Sequence, residues 1–183
     1  ALVRHAFKLL WENLPIAFEQ AKEGEVSSEL REKLHNAATM AGWGFSNSQI
    51  ILSHSLAHSA GAVFKIPHSV CIGTMCWYSL MYNKTTEPQR IADLARLVGL
   101  NAASDEELST KLIDAFRDLL IRLEHPLSLQ DMKVTKEQFE ANRDSLVEYA
   151  LNDSGTLSNP RPLDYEDFEK IFDYAFAGEE IDF

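Results

Sequence analysis

Residues 46–68 read SNSQIILSHSLAHSAGAVFKIPH. Apolar and small residues recur through this run at helical rather than alternating spacing, which predicts a helix from about Ser46 to Phe64. Pro67 has no amide proton to give to a helical ladder, so the element ends before it and a new one begins at or near His68. His54 and His58, four apart, then project from one helical face about one turn from each other. The turn at Lys65-Ile66-Pro67 lets His68 fold back toward that pair. Three neutral imidazoles suit a borderline divalent cation such as zinc or ferrous iron, with a position left open for a substrate oxygen. The same residues also fit hydrogen-bonded structural histidines, and spacing alone leaves both readings open. A metalloprotease helix is excluded, because HExxH needs a glutamate base where this chain has Ser55.

Outward from this run, the pattern stays helical. Residues 1–22 carry apolar positions at helical spacing interrupted at Pro15, and Gly24 closes the segment. A second helix is predicted from Ser28 to about Ala41, followed by Gly42-Trp43-Gly44, where small residues allow a kink or a close approach of backbones. Further helices are predicted over His68–Asn83, Glu87–Val98 with Gly99 just beyond it, and Ser104–Glu124 with an acidic first turn. Two more follow, over Thr135–Leu151 and Asp164–Phe176. Residues 152–162, NDSGTLSNPRP, read as a long turn-rich loop. No alternating run bounded by hairpin turns occurs, so the chain is predicted to be an all-α, multi-helix domain covering residues 1–183.

Composition narrows the function. The chain has 183 residues, 45% of them hydrophobic, enough to bury a sizeable core. Its net charge of −11 argues against nucleic-acid and membrane partners, since no basic stripe exists to displace counterions from a phosphate surface. Cys71 and Cys76 sit five apart inside an apolar run and read as buried thiols of a reducing compartment, the cytoplasm. No apolar run reaches the roughly 18 to 20 residues that span a bilayer. The chain opens on ALVRHAFKLLW without an initiator methionine and with helical periodicity already running, which reads as a piece of a longer protein.

The run Gly44-Phe-Ser-Asn47, then His54-Ser-Leu-Ala-His58-Ser-Ala-Gly61, then Ile66-Pro-His68 resembles the signature of the iron-containing (group III) alcohol dehydrogenase family. That pattern has a histidine, a second four later, a glycine three beyond it, and a Pro-His pair whose histidine lies ten after the second. Arg90-Ile-Ala-Asp-Leu-Ala-Arg96, Pro126-Leu-Ser-Leu129 and the segment from Asp153 to Asn159-Pro-Arg-Pro162 continue the resemblance over nearly the whole chain.

The resemblance implies a C-terminal helical domain, similar to that of the dehydroquinate synthase-like fold, facing an N-terminal α/β domain that holds NAD or NADP. It implies one divalent metal, ferrous iron or alternatively zinc, bound by His5, His54 and His68. His58 is implied to be a non-ligating catalytic histidine beside the nicotinamide and substrate. The implied activity is that of an NAD(P)-dependent alcohol dehydrogenase acting on a small alcohol, aldehyde or ketone, with a homo-oligomer as a compatible assembly. The sequence departs from the family at Ala1, four before His5, where an aspartate ligand is expected and no donor atom is present. Three explanations stay open: a shifted alignment with the carboxylate upstream of residue 1, a different ligand from elsewhere, or a metal-free reductase resembling maleylacetate reductase; polyol dehydrogenases and dehydroquinate synthase share the plan but differ in metal spacing. His35 and His125 read as structural, Trp11, Trp43, Trp77 and Tyr78 as core or pocket wall, and Arg161 as a loop-bonding residue.

Overall fold

The computed structural model describes residues 1–183. Nine helices and no strand are present: α1 (Leu2–Lys22), α2 (Ser28–Ser48), α3 (Leu52–Phe64), α4 (His68–Asn83), α5 (Pro88–Leu97), α6 (Asp105–Arg122), α7 (Lys136–Leu151), α8 (Ser154–Leu157) and α9 (Tyr165–Ala177). The all-α expectation holds. No helix is long and apolar enough to cross a membrane.

Two boundaries differ from the sequence pattern. Pro15 does not interrupt α1. Nor does Gly42-Trp43-Gly44 kink α2, which continues to Ser48. Gly44 serves close approach instead, because a Cβ there would fall 2.0 Å from Cγ2 of Val3. The break falls at Gln49, whose φ of 68° lies in the left-handed region, so α3 begins at Leu52 and not near Ser46. Termini otherwise follow the capping chemistry. Thr135 and Gln138 form a reciprocal capping box on α7, as do Asp164 and Asp167 on α9. The loop after α7 contains the single turn of α8, with Asp153 as its cap.

The chain forms two compact units, residues 1–49 with 89–112, and residues 50–88 with 113–183. In the first, α1 packs on α2 through small residues, with Ala6, Ala17 and Ala37 buried beside Leu30. Arg4 reaches Asp93 of α5 at 2.5 Å, and Arg96 pairs with Asp105. Trp43, expected as core or pocket wall, is 65% exposed.

The second unit is built around α3, which packs against α4, α7 and α8. Its inner face buries Leu52, Leu56, Ala57 and Ala60, and the buried Ser59 hydroxyl donates to the Leu146 carbonyl of α7 at 2.7 Å. Small side chains at these positions let the helices approach closely, while the aromatic bulk comes from α4 and α9. Trp77, Tyr78, Tyr82, Phe168 and Phe172 are fully buried, and Phe139 stacks on Phe176 at 4.4 Å. Trp77 and Tyr78 are therefore core. Each buried tyrosine hydroxyl donates to a carbonyl, Tyr78 to Leu127 at 3.0 Å and Tyr82 to Pro162 at 2.8 Å. Burial of this kind by α3 fixes the orientation of its opposite face, which carries the histidines.

Candidate active site

The outer face of α3 and the start of α4 bring three imidazoles together. Ring centres of His54 and His58 lie 5.6 Å apart, those of His54 and His68 5.6 Å, and those of His58 and His68 5.2 Å. His54 is half-buried, and His58 and His68 are exposed. The fold-back that delivers His68 depends on a tight turn. Lys65 caps α3 in the left-handed region with φ 59°, and a Cβ on Gly61 would fall 3.1 Å from the Ile66 carbonyl oxygen. The glycine three residues beyond His58 thus leaves space for the chain to return along α3.

Two imidazoles bound through nitrogen to one tetrahedral ion, about 2.1 Å from each, have ring centres roughly 5 Å apart. All three histidine pairs lie near that spacing, so ring distance alone does not single out two of them as ligands. No three His, Cys, Asp or Glu side chains converge in ligating geometry, however. His5 lies on α1 of the first unit, exposed, and its backbone amide donates to the Ala1 carbonyl at 3.1 Å. Ala1 itself supplies no side-chain donor. Burial pushes the basicity of His54 down, and the adjacent His58 and His68 add to the effect, against a smaller opposing pull from Asp153. A neutral imidazole is the form a metal needs as ligand.

His58 has a partner that the histidine spacing does not reveal. Its Nδ1 lies 2.8 Å from Oδ2 of Asp153. The other carboxylate oxygen accepts from the Gly155 amide at 2.8 Å and from the Ser55 hydroxyl at 3.2 Å. Burial pushes the Asp153 carboxyl up, but the hydrogen bond from His58, the Gly155 amide and the Ser55 hydroxyl outweigh it and hold it below the usual carboxylate value. An ionised carboxylate only accepts, so Nδ1 of His58 carries the proton of this hydrogen bond, and in the neutral ring the lone pair is on Nε2. The visible sequence signal for Asp153 was Asp-Ser-Gly, an Asp whose side chain can cap the turn two residues on.

The remaining conspicuous residues are structural. His125 Nε2 donates to the Val70 carbonyl at 3.1 Å. Arg161 lies 3.9 Å over the Tyr82 ring and donates to the carbonyls of Tyr82 and Phe183. Burial pushes the thiols of Cys71 and Cys76 up to about 11, and neither is in a disulfide.

Residues 1–176 match the Fe-containing alcohol dehydrogenase family, C-terminal. The chain belongs to this family. Among its curated relatives, the NADPH-dependent butanol dehydrogenase of Clostridium saccharobutylicum is 33% identical over 182 residues, covering 100% of this chain and 45% of that protein. The bifunctional aldehyde-alcohol dehydrogenase AdhE of Escherichia coli (strain K12) is 32% identical over 173 residues, covering 85% of this chain and 19% of that protein. Of the solved structures, an alcohol dehydrogenase from Oenococcus oeni superposes with a TM-score of 0.85 at 31% identity, covering 94% of this chain and 44% of that one. The chain thus spans less than half the length of these alcohol dehydrogenases, and the matched portion is their C-terminal helical part.

Proposed function

We propose that the chain is the metal- and substrate-binding half of an NAD(P)-dependent alcohol dehydrogenase that interconverts a small alcohol with its aldehyde or ketone. On this reading it works with an N-terminal α/β half that binds the dinucleotide, in the cytoplasm, where two unpaired thiols persist. The observation that carries the proposal is the clustering of the His54, His58 and His68 rings within 5.6 Å of one another in a chain whose relative is an NADPH-dependent butanol dehydrogenase.

His54 and His68 are the metal ligands on this reading, with His5 as the third that the family resemblance implies. Ferrous iron, or zinc in its place, would supply Lewis-acid stabilisation of the negative charge that develops on the substrate oxygen. The chain's own residues do the rest. Alcohol oxidation sends a hydride to the nicotinamide and a proton from the hydroxyl to a base. With Nδ1–H bonded to Asp153, the neutral His58 ring has its lone pair on Nε2, the nitrogen that would accept that proton directly or through water on this reading. In carbonyl reduction the same atom returns it. Burial and the neighbouring imidazoles lower the basicity of His54, which favours the neutral ring that a metal ligand requires.

A second reading is a metal-free reductase, one of the explanations open for Ala1, which supplies no carboxylate four residues before His5. In that version hydrogen bonds from the imidazoles stabilise the developing oxyanion, which suits an activated carbonyl. Metal analysis of the full-length protein separates the two. One equivalent of iron or zinc, lost in His54→Ala and His68→Ala and kept in His58→Ala, supports the metal reading. Full activity after complete removal of metal overturns it in favour of the second, and absence of any NAD(P)-dependent alcohol or carbonyl turnover overturns both.

A further inference from the structure

The contact between His58 and Asp153 joins α3 to the loop that begins after α7, ninety-five residues further along the chain. We propose that Asp153 is a positioning residue that fixes the tautomer and ring orientation of His58, so that Nε2 faces the reacting atoms as a proton acceptor. The inference rests on the dehydrogenase reading for the role of His58, and on the geometry of this chain for the role of Asp153.

The carboxylate has little freedom to do anything else. Its side chain is 17% exposed, and Oδ1 is held by the Gly155 amide and by Ser55, which is fully buried on α3. The Thr156 hydroxyl lies 2.6 Å from the Ala150 carbonyl and 3.0 Å from Ser55 Oγ, and its one proton, given to the nearer carbonyl, ties the same loop to α7. A Cβ on Gly155 would fall 2.9 Å from the Ile51 carbonyl and 2.9 Å from Ser55 Oγ, so the loop passes α3 at a distance only glycine permits. One oxygen of Asp153 is thereby committed to the scaffold and the other to the imidazole. A ring bonded in this way loses rotation about its own axis and one of its two neutral tautomers. Asp153 touches neither substrate nor cofactor in this scheme and acts through His58.

Replacement by asparagine has a predictable chemical consequence. The Gly155 amide and the Ser55 hydroxyl both require an acceptor, so the asparagine oxygen takes the place of Oδ1 and its NH2 turns toward His58. Nδ1 must then accept, and the proton moves to Nε2, the nitrogen that was to receive a proton. The substitution keeps shape and reverses the tautomer.

The test compares four full-length proteins: wild type, Asp153→Asn, His58→Ala and the double variant. Asp153→Asn is expected to lower kcat at least about tenfold, with KM and metal content changed by less than about twofold. In the His58→Ala background the same substitution is expected to cause no further loss, because the residue through which it acts is gone. Equal fold losses in both backgrounds overturn the proposal, since a scaffold residue would act with or without His58. Nitrogen-15 spectra of histidine-labelled protein give a readout independent of turnover: His58 protonated on Nδ1 in the wild type and on Nε2 in Asp153→Asn is expected. Wild-type His58 carrying its proton on Nε2 also overturns it. A wild type that shows no alcohol dehydrogenase activity removes the functional reading, while the tautomer still decides the role of Asp153.

Discussion

Asn83 at the end of α4 and Asn159 in the closing loop exchange two amide hydrogen bonds, each Nδ2 donating to the other's Oδ1, at 3.0 and 2.9 Å. Asn159 also donates to the Arg161 carbonyl at 2.7 Å, and its Oδ1 accepts from the Leu52 amide at 3.4 Å. That last bond satisfies an orphan donor in the first turn of α3, which has no side-chain cap of its own. One buried amide therefore joins the start of the histidine helix, the end of α4 and the loop leading to Arg161.

Asn159→Ala is expected to destabilise the protein by about 2 to 4 kcal/mol, because several buried partners lose their hydrogen bond at once. Asn159→Asp sets a buried carboxylate oxygen against the Asn83 and Arg161 carbonyl oxygens, acceptor against acceptor, so it should be at least as destabilising as alanine. Chemical denaturation of the three proteins checks the order. Equal stability of wild type and alanine variant would mean the network carries no net energy.

Tyr78 tests the core beneath the site. Its ring is fully buried and its hydroxyl donates to the Leu127 carbonyl, with the Tyr174 carbonyl at 3.4 Å as a second acceptor. Burial pushes its ionisation far above the ordinary tyrosine value, so the hydroxyl remains a donor at any working pH. Tyr78→Phe leaves both acceptors without this donor at nearly constant volume, and a loss of about 1 to 2 kcal/mol is expected by denaturation. Metal content should not change, because the ring lies in the core rather than at the histidines.

Gly155→Ala should be costly although α8 has only four residues, because Gly155 is buried against the start of α3. The added methyl would meet the Ile51 carbonyl and Ser55 Oγ at 2.9 Å and the Asp153 Oδ1 at 3.1 Å, and a backbone carbonyl cannot rotate aside. Overpacking of this kind costs about 1 to 3 kcal/mol. The loop must shift, so His58 loses its partner and turnover should fall along with thermal stability. A variant with unchanged melting temperature and unchanged kcat would show that the loop has more room than the close approach implies.

The sequence is most legible where one local rule dominates. Pro67 and the His68 start of α4, the acidic first turn of α6 and the Thr135 cap all follow from chemistry within four residues. It misleads where tertiary contact overrides a local preference. Gly42 and Gly44 look like a kink, yet α2 runs through them because Val3 of α1 occupies the space beside Gly44. Pro15 looks like a break, yet α1 continues. The histidine trio is visible as spacing, whereas Asp153 is not: its link to His58 spans ninety-five residues, and no periodicity reports a contact between a helix and a distant loop. Ser55 has the same history, since in sequence it shows only that the HExxH glutamate is missing.

His125 gives a prediction whose sign follows from burial. Its Nε2 donates to the Val70 carbonyl, which fixes the proton there and leaves Nδ1 as the titrating atom. Burial lowers its basicity in the folded protein, only partly offset by the bond to Val70, whereas in the unfolded chain it titrates near about 6.5. As pH falls through that value the unfolded chain takes up the proton first, so stability falls with decreasing pH. The contribution is fully present above about pH 7.5, declines as pH passes the unfolded value, and is gone below the folded one. His125→Gln retains a donor for Val70 but cannot titrate. The stability advantage of wild type over this variant should therefore be larger at pH 7.5 than at pH 5.5, measured by urea denaturation of both proteins at each pH. Titrations elsewhere in the molecule are common to the pair and cancel in the difference. A difference that is constant with pH would show that His125 is as basic folded as unfolded, and that its burial beside Val70 carries no penalty for charge.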